Sequence, residues 1–194
     1  MGLPIVTPMA LGDLDAIMIL ERQCFRDAWT RHMYVVDLTQ NALATFLVMR
    51  PDARSAPVAG GSMAPGLLPP VLAYGGFWLL LDEAHVATIA SHPEWRGCGL
   101  AQWLMLALLD VAMARGAVRS TLEVRISNLP AQRLYDKLGY QVVGARPRYY
   151  RDGEDGLIMT TPDLTEPAMQ ERLATLRNDT LARLRDRFGG TSGA

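Results

Sequence analysis

Apolar residues recur along this chain with two different periods, and the places where the period changes mark out its elements. A short strand beginning at Ile5 leads to a turn at Gly12-Asp13. Leu14, Ile17, Met18, Glu21 and Phe25 then follow at intervals of three and four, which predicts a helix with Asp13 as its N-cap. Thr30 is placed to cap a second helix in which Tyr34, Val35 and Leu38 face inward, and Ala44 to Met49 reads as a strand. Val71–Leu81 and Ala84–Ser91 predict a hairpin joined at Asp82-Glu83. A glycine-bearing stretch opens a long helix, Leu100–Arg115, whose apolar face is Leu100, Trp103, Leu104, Ala107, Leu108 and Val111, with Gly116 at the left-handed position that ends it. Ser120–Ile126 reads as a strand, Pro130–Leu138 as a short helix, and Tyr140–Val143 and Gly156–Thr161 as further strands. Strands interleaved with helices predict a mixed α/β sheet. Beyond it Glu166–Phe188 predicts an extra helix, with Met169, Leu173, Leu176, Leu184 and Phe188 along one stripe, and Gly189–Ala194 is small and polar enough to be loose.

One stretch fits neither period. Arg50 to Pro70 holds Pro51, Pro57, Gly60, Gly61, Pro65, Gly66, Pro69 and Pro70, which resist helix and central strand alike. The plain reading is a surface loop, and the sharper one a lid over an active site. The 194 residues suffice for one domain, expected over 1–165, with 166–194 as a helical extension. A formal net charge of −1 gives no global basic field, so neither nucleic acid nor membrane is an expected partner. An anionic ligand would need a local device instead. Cys24 and Cys98 have neither metal-ligand spacing nor the makings of a disulfide framework, so no metal is expected. The first ten residues lack a signal-peptide pattern and no apolar run is long enough to span a bilayer, so the expected location is the cytosol.

The local device is at residues 96–101. Arg96-Gly97-Cys98-Gly99-Leu100-Ala101 lies between a strand and a helix. Its glycines let the backbone approach a ligand and aim several N–H groups at one point, and the helix adds unpaired N–H groups and the positive end of its dipole. Such a nest suits a pyrophosphate; the plainer reading is a turn that only starts a helix. No Gly-Lys-Ser/Thr follows and the spacing is not G-x-G-x-x-G, so it is neither a Walker loop nor a dinucleotide fingerprint.

Arg-x-x-Gly-x-Ala after a strand resembles the acetyl-CoA-binding motif of GNAT acetyltransferases, and the resemblance extends over about residues 3–164. It includes Leu122-Glu123-Val124-Arg125 with Ser127-Asn128, then Ala131, Leu134-Tyr135 and Leu138-Gly139-Tyr140. Cys24-Phe25 with Trp29-Thr30, Leu81-Asp82-Glu83-Ala84, and Arg148-Tyr149-Tyr150 with Glu154-Asp155 and Met159 are similar to the RimI-type ribosomal-protein-alanine N-acetyltransferases. Pro130 stands where a small residue is common, Arg26-Asp27-Ala28 lacks a proline frequent before the tryptophan, and the chain after Leu164 lies outside the resemblance.

The resemblance implies a mixed, mostly antiparallel sheet flanked by helices and an acetyl-CoA-dependent enzyme. It implies a coenzyme site at Ile89, Ala90, Ser91, Arg96, Gly97, Cys98, Gly99, Leu100, Ala101, Gln102 and Asn128. Glu123 matches the general base and Tyr135 the general acid, while Tyr149 and Tyr150 fall in the loop that faces the acceptor. Each residue has a plainer reading too. Glu123 alternates with Leu122, Val124 and Ile126 and could be a solvated strand position or pair with Arg125. Tyr135 could be a core tyrosine, Asn128 a helix cap, and Tyr149 and Tyr150 hairpin packing; His85 and His92 are read as structural. An α-amine (pKa ~7.7–8.0) asks less of a carboxylate base than a lysine amine (~10.4), which favours a protein N-terminus as acceptor. The expected substrate is thus a protein or peptide α-amine such as a ribosomal protein's N-terminal alanine. The alternatives are a small amine, a lysine side chain, or a silent coenzyme-binding regulator, in a monomer or homodimer.

Overall fold

The computed structural model describes residues 2–52 and 68–188. The expectation of a loop or lid over 50–70 falls mostly outside them, as does that of a loose end at 189–194. In chain order the elements are β1 (Ile5–Pro8), α1 (Leu14–Cys24), α2 (Arg31–Gln40), β2 (Ala44–Arg50), β3 (Ala73–Leu80), β4 (Glu83–Ser91), α3 (Leu100–Ala114), β5 (Arg119–Arg125), α4 (Leu129–Lys137), β6 (Gln141–Arg146), β7 (Gly156–Thr160) and α5 (Pro167–Phe188). The strands form one sheet in the order β1-β2-β3-β4-β5-β7-β6, antiparallel throughout except at β4–β5. This is the mixed, mostly antiparallel sheet that the strand pattern and the resemblance imply.

Two apolar cores cover the two faces. On one face Leu47, Met49, Ala84, Val86, Leu122 and Val124 pack with α3, α4 and α5. On the other, Phe46, Val48, Tyr74 and Ala90 pack with Leu14, Ile17, Leu20 and Tyr34 of α1 and α2. Alternation along β2 supplies both cores, as a strand buried on both sides requires.

The sheet is interrupted in the middle. β4 bonds β3 along its whole length but meets β5 only at Glu83↔Arg119, Ala84↔Ser120 and His85↔Thr121. Past His85 the two parallel strands part. There β4 also carries a bulge: Gly76 pairs with Thr88 and Phe77 with Val86, leaving Ala87 unopposed. The extra residue reverses the faces, so Ala84 and Val86 enter one core and Ala90 the other. Past His85 the β4 backbone groups that face away from β3, those of Ile89 and Ser91, have no partner strand on the β5 side, although the Ser91 carbonyl accepts from the Cys24 thiol.

Several local expectations need correction. Asp13 does not cap α1 with its side chain. Its carboxylate accepts the Ala10 N–H at 2.8 Å and pairs with Arg50. Thr30 does cap α2, accepting the Met33 N–H. The β3–β4 turn is centred on Leu81-Asp82 rather than Asp82-Glu83, since Leu80 pairs with Glu83, and Leu81 is held at a φ of 59°. Hairpin twist demands a left-handed residue there, which outweighs the steric preference of leucine. Ile126 lies past the end of β5 and is 51% exposed, so it does not continue the Leu122–Val124 alternation.

The apolar stripe of α5 is buried within the chain's own core: Met169, Leu173, Leu184 and Phe188 join the α3 side of the sheet. Gln170 reaches Met113 near the C-terminal end of α3, Arg177 pairs with Asp110 at 2.6 Å, and Thr180 meets Gln102 at its start. The two helices therefore run antiparallel. Among the described residues, no helix is long and apolar enough to cross a membrane.

Candidate functional site

Glu123 stands on β5 beside the gap, on the α1–α2 face, because Leu122 and Val124 take the other. Its side chain is only 5% exposed, and Arg125 is not its partner. The carboxylate instead lies 3.1 Å from His85 Nε2 and pairs with Arg146 at 3.1 Å. The two plain readings of Glu123, a solvated position and a bridge to Arg125, therefore both fall. A carboxylate is tolerated at this depth because both oxygens are partnered.

His85 is the residue that sequence reasoning missed. It is the last β4 residue paired with β5, so it points at the carboxylate two residues along the neighbouring strand. The His85 ring stacks on Trp78 at 6.1 Å and 9°, and Trp78 stacks on Trp29 at 5.9 Å and 20°. Trp29 is in turn held by Glu21, a carboxylate 1% exposed that accepts the Trp29 N–H at 2.7 Å and the Tyr34 hydroxyl at 2.8 Å, and also bonds Tyr74. Glu21 had a place in the α1 periodicity, and nothing in that spacing hinted at this role. The usable signal for His85 was parity: it sits two residues before the bulge on a strand adjacent to Glu123.

Arg125 organises the loop beyond. Its guanidinium bonds Asp152 at 2.9 Å, Glu154 at 2.8 Å and Asp27 at 3.2 Å, and lies 3.9 Å over the Tyr150 ring. These contacts tie the α1–α2 connection and the β6–β7 loop to the end of β5. Arg125 holds Asp152 below the usual carboxylate range, and the bond to Ser127, reinforced by Arg125, does the same for Glu154. Tyr149 and Tyr150 pack edge to face at 5.1 Å, and Tyr149 covers Gly156 as well. Burial raises both phenols, Tyr150 to about 12, and the nearby Glu123 charge raises Tyr149 further. Both rings thus pack the hairpin and also border Glu123.

Tyr135 projects from α4 on the opposite face of the sheet. It is 6% exposed, tilted against Tyr140 at 5.7 Å, and burial, with Tyr150 nearby, raises its pKa. Among the described residues its hydroxyl makes no hydrogen bond, so it is available to donate. Asn128 caps α4 through the Ala131 N–H at 3.2 Å.

The glycine loop has the backbone its sequence suggested. Gly97 and Gly99 have φ of 76° and 90°, and Gly99 is the N-cap of α3. Positive φ at both is a backbone that a nest of N–H groups can use. Arg96 reaches Cys24 at 3.7 Å, whose thiol also meets the Ser91 carbonyl; burial raises the Cys24 pKa and keeps it a thiol. Gln102 is buried and turned toward α5, donating to Thr180 at 2.7 Å and accepting from Arg183 at 3.1 Å. Among the described residues no group of three or more His, Cys, Asp or Glu side chains is placed to hold a metal ion.

The model of the acetyltransferase (GNAT) family matches residues 14–140. A Bacillus subtilis (strain 168) protein bearing the provisional name ribosomal protein bS18-alanine N-acetyltransferase is 37% identical over 155 residues, covering 79% of this chain and 92% of that protein. An N-alpha-acetyltransferase of Saccharolobus solfataricus is 28% identical over 158 residues, covering 78% of this chain and 89% of its own. The crystal structure of the ribosomal-protein-S18-alanine N-acetyltransferase from Escherichia coli superposes with a TM-score of 0.68 at 26% identity, over 83% of this chain and 94% of that one.

Proposed function

The chain belongs to the GNAT family of acetyltransferases, and on that premise we propose that it moves the acetyl group of acetyl-CoA to the α-amine of a protein N-terminus with a small first residue. The observation that carries this reading is the parting of β4 from β5 past His85, with a buried carboxylate on one face and a buried phenol on the other. A chain of amides can run through such a gap along Ile89, Ala90 and Ser91, using the backbone groups of Ile89 and the Ser91 N–H that face away from β3, as a third strand would. The left-handed turns at Gly97 and Gly99 lie where Arg96–Ala101 and the start of α3 can hold its pyrophosphate. Asn128, at the mouth of α4, is placed to meet the same arm. When bound, the coenzyme supplies the acetyl thioester; the remaining work belongs to the protein.

Glu123 takes the proton from the incoming ammonium, directly or through one water, so that the neutral amine can attack. His85 holds Glu123 in place, and Arg146, more than half exposed on its side chain, is the partner that can yield to the substrate's own cation. The open N–H groups of β4 near the bulge can stabilise charge on the carbonyl oxygen. Tyr135, on the other face of the gap, would donate to the departing sulfur. Moving a proton from a phenol of pKa ~10 to a thiolate of ~8.5 is already uphill, and burial raises Tyr135 further, so it acts as a hydrogen-bond donor rather than by full transfer. Tyr149 and Tyr150 narrow the acceptor side and favour a small first residue.

The relative from Bacillus subtilis and the neighbour from Escherichia coli bear names that specify alanine termini of a ribosomal protein, which supports the same acceptor class here. A panel of N-terminal peptides, Nα-blocked lysine peptides and polyamines, incubated with acetyl-CoA and read by mass, tests the proposal. Peptides beginning with alanine or serine should gain one acetyl group fastest; faster polyamine or lysine acetylation would reject the acceptor class. The coenzyme loop has its own test. Gly99 has a φ of 90° and a Cβ there would sit 3.4 Å from Thr180, so Gly99→Val should weaken acetyl-CoA binding at least ~10-fold, about 1.4 kcal/mol. Unchanged affinity by calorimetry in the folded variant would remove the loop from the site.

A further inference from the structure

We propose that Arg183 and Arg187 of α5, a helix outside the family match, supply the positive charge that completes the coenzyme's phosphate site; this rests on the reading of residues 96–101 as the pyrophosphate loop. α5 ends against that loop. Thr180 abuts Gly99 and bonds Gln102 in the first turn of α3, and Arg183 donates to the same Gln102 at 3.1 Å. Four residues on, the Arg187 guanidinium lies 5.8 Å over the ring of Trp95, which itself stacks on Phe188 at 5.4 Å and 22°. Trp95 immediately precedes Arg96, and Gln102 immediately follows Ala101. The spacing of 180, 183, 184, 187 and 188 puts these side chains on one helical face, so the two guanidiniums bracket the loop from its two ends.

The charge pattern indicates what this face meets. Among the described residues Arg183 and Arg187 make no ion pair, whereas Arg177, farther from the loop, is neutralised by Asp110 at 2.6 Å. Asp179 and Asp186 share the helix but form no salt bridge with either arginine; the groups that Arg183 bonds, the Asp179 carbonyl, the Thr180 hydroxyl and the Gln102 amide oxygen, are uncharged. The C-terminal end of α5 also brings its own negative dipole end toward the loop, an arrangement hostile to a phosphate unless cations offset it. With a net charge of −1, no field from the rest of the chain does so. Guanidinium forks fit phosphate oxygens, and the two arginines contact the residues that flank the loop, Gln102 and Trp95.

Titration calorimetry of the full chain with acetyl-CoA at several NaCl concentrations tests this. In R183Q/R187Q, affinity at low salt should fall at least ~10-fold and depend less on salt than in the wild type, because two screened attractions are gone. The singles R183Q and R187Q, which disturb packing less, should each show a smaller loss of the same kind. A contact that only fastens α5 would lower the melting temperature without altering the salt dependence. Folded variants with wild-type affinity and wild-type salt dependence would overturn the inference. Gly99→Val separates the two levels: if it weakens binding while the arginine variants do not, the inference alone fails. If it too leaves binding intact, the reading of the loop fails first.

Discussion

Glu123→Gln is expected to lower turnover near neutral pH by about a hundredfold or more, with the deficit shrinking as the pH rises past ~8. Glutamine keeps the shape of the side chain beside His85, but it cannot take a proton at the working pH. The variant must wait for substrate that is already neutral, and that fraction grows as the α-amine titrates near ~7.7–8.0. Its pH–rate profile should therefore follow the amine, while the wild-type profile is flatter. Coenzyme affinity should be unchanged, because the glycine loop is untouched. His85→Ala, which leaves the carboxylate but frees its Oε2, should give a smaller loss of roughly tenfold. A Glu123→Gln profile superimposable on the wild type would remove this residue from proton transfer.

Leu184→Ala is expected to destabilise the fold by about 2–5 kcal/mol. Leu184 is 0% exposed in the last turns of α5, between Thr180 and Phe188, and truncation there leaves a cavity beneath the end of the helix. For a chain of this length a loss of ~3 kcal/mol corresponds to a melting temperature roughly 6–12 °C lower. Thermal unfolding followed by circular dichroism reads this directly. A melting temperature within 1–2 °C (about 0.5 kcal/mol) of wild type would mean that α5 contributes little to the stability of the core. The contrast with a surface change on the same helix, such as Arg185→Ala, should be plain, since Arg185 is exposed and unpaired in any salt bridge among the described residues.

The fold was readable because its strongest signals are local. The α3 stripe, the Thr30 cap, Gly116 at a φ of 97° and the α5 stripe each follow from spacing or from one residue's backbone preference. The loop at 96–101 was readable for the same reason. The parting of β4 and β5 was not, because it is a property of two strands with a 15-residue helix between them, and the Ala87 bulge leaves no mark in composition. The partners of Glu123 were hidden likewise. His85 comes from β4 on one side and Arg146 from β6, beyond β7 on the other, while Arg125, near it in sequence, is drawn to Asp152 and Glu154. The positions of Glu123 and Tyr135 on opposite faces follow from strand alternation and helix placement together, and only the assembled sheet brings those facts into one gap.

Where the acetyl group goes separates the acceptor classes most directly. A single peptide with a free N-terminal alanine and one internal lysine offers both amines at equal concentration, and tandem mass spectrometry of the product locates the modification. The buried carboxylate and the tyrosine-bordered entrance predict acetylation of the α-amine, with an alanine terminus preferred over leucine by the ~1–3 kcal/mol that a tight pocket extracts from added methylenes. Acetyl found on the lysine, with the α-amine left free, would contradict it.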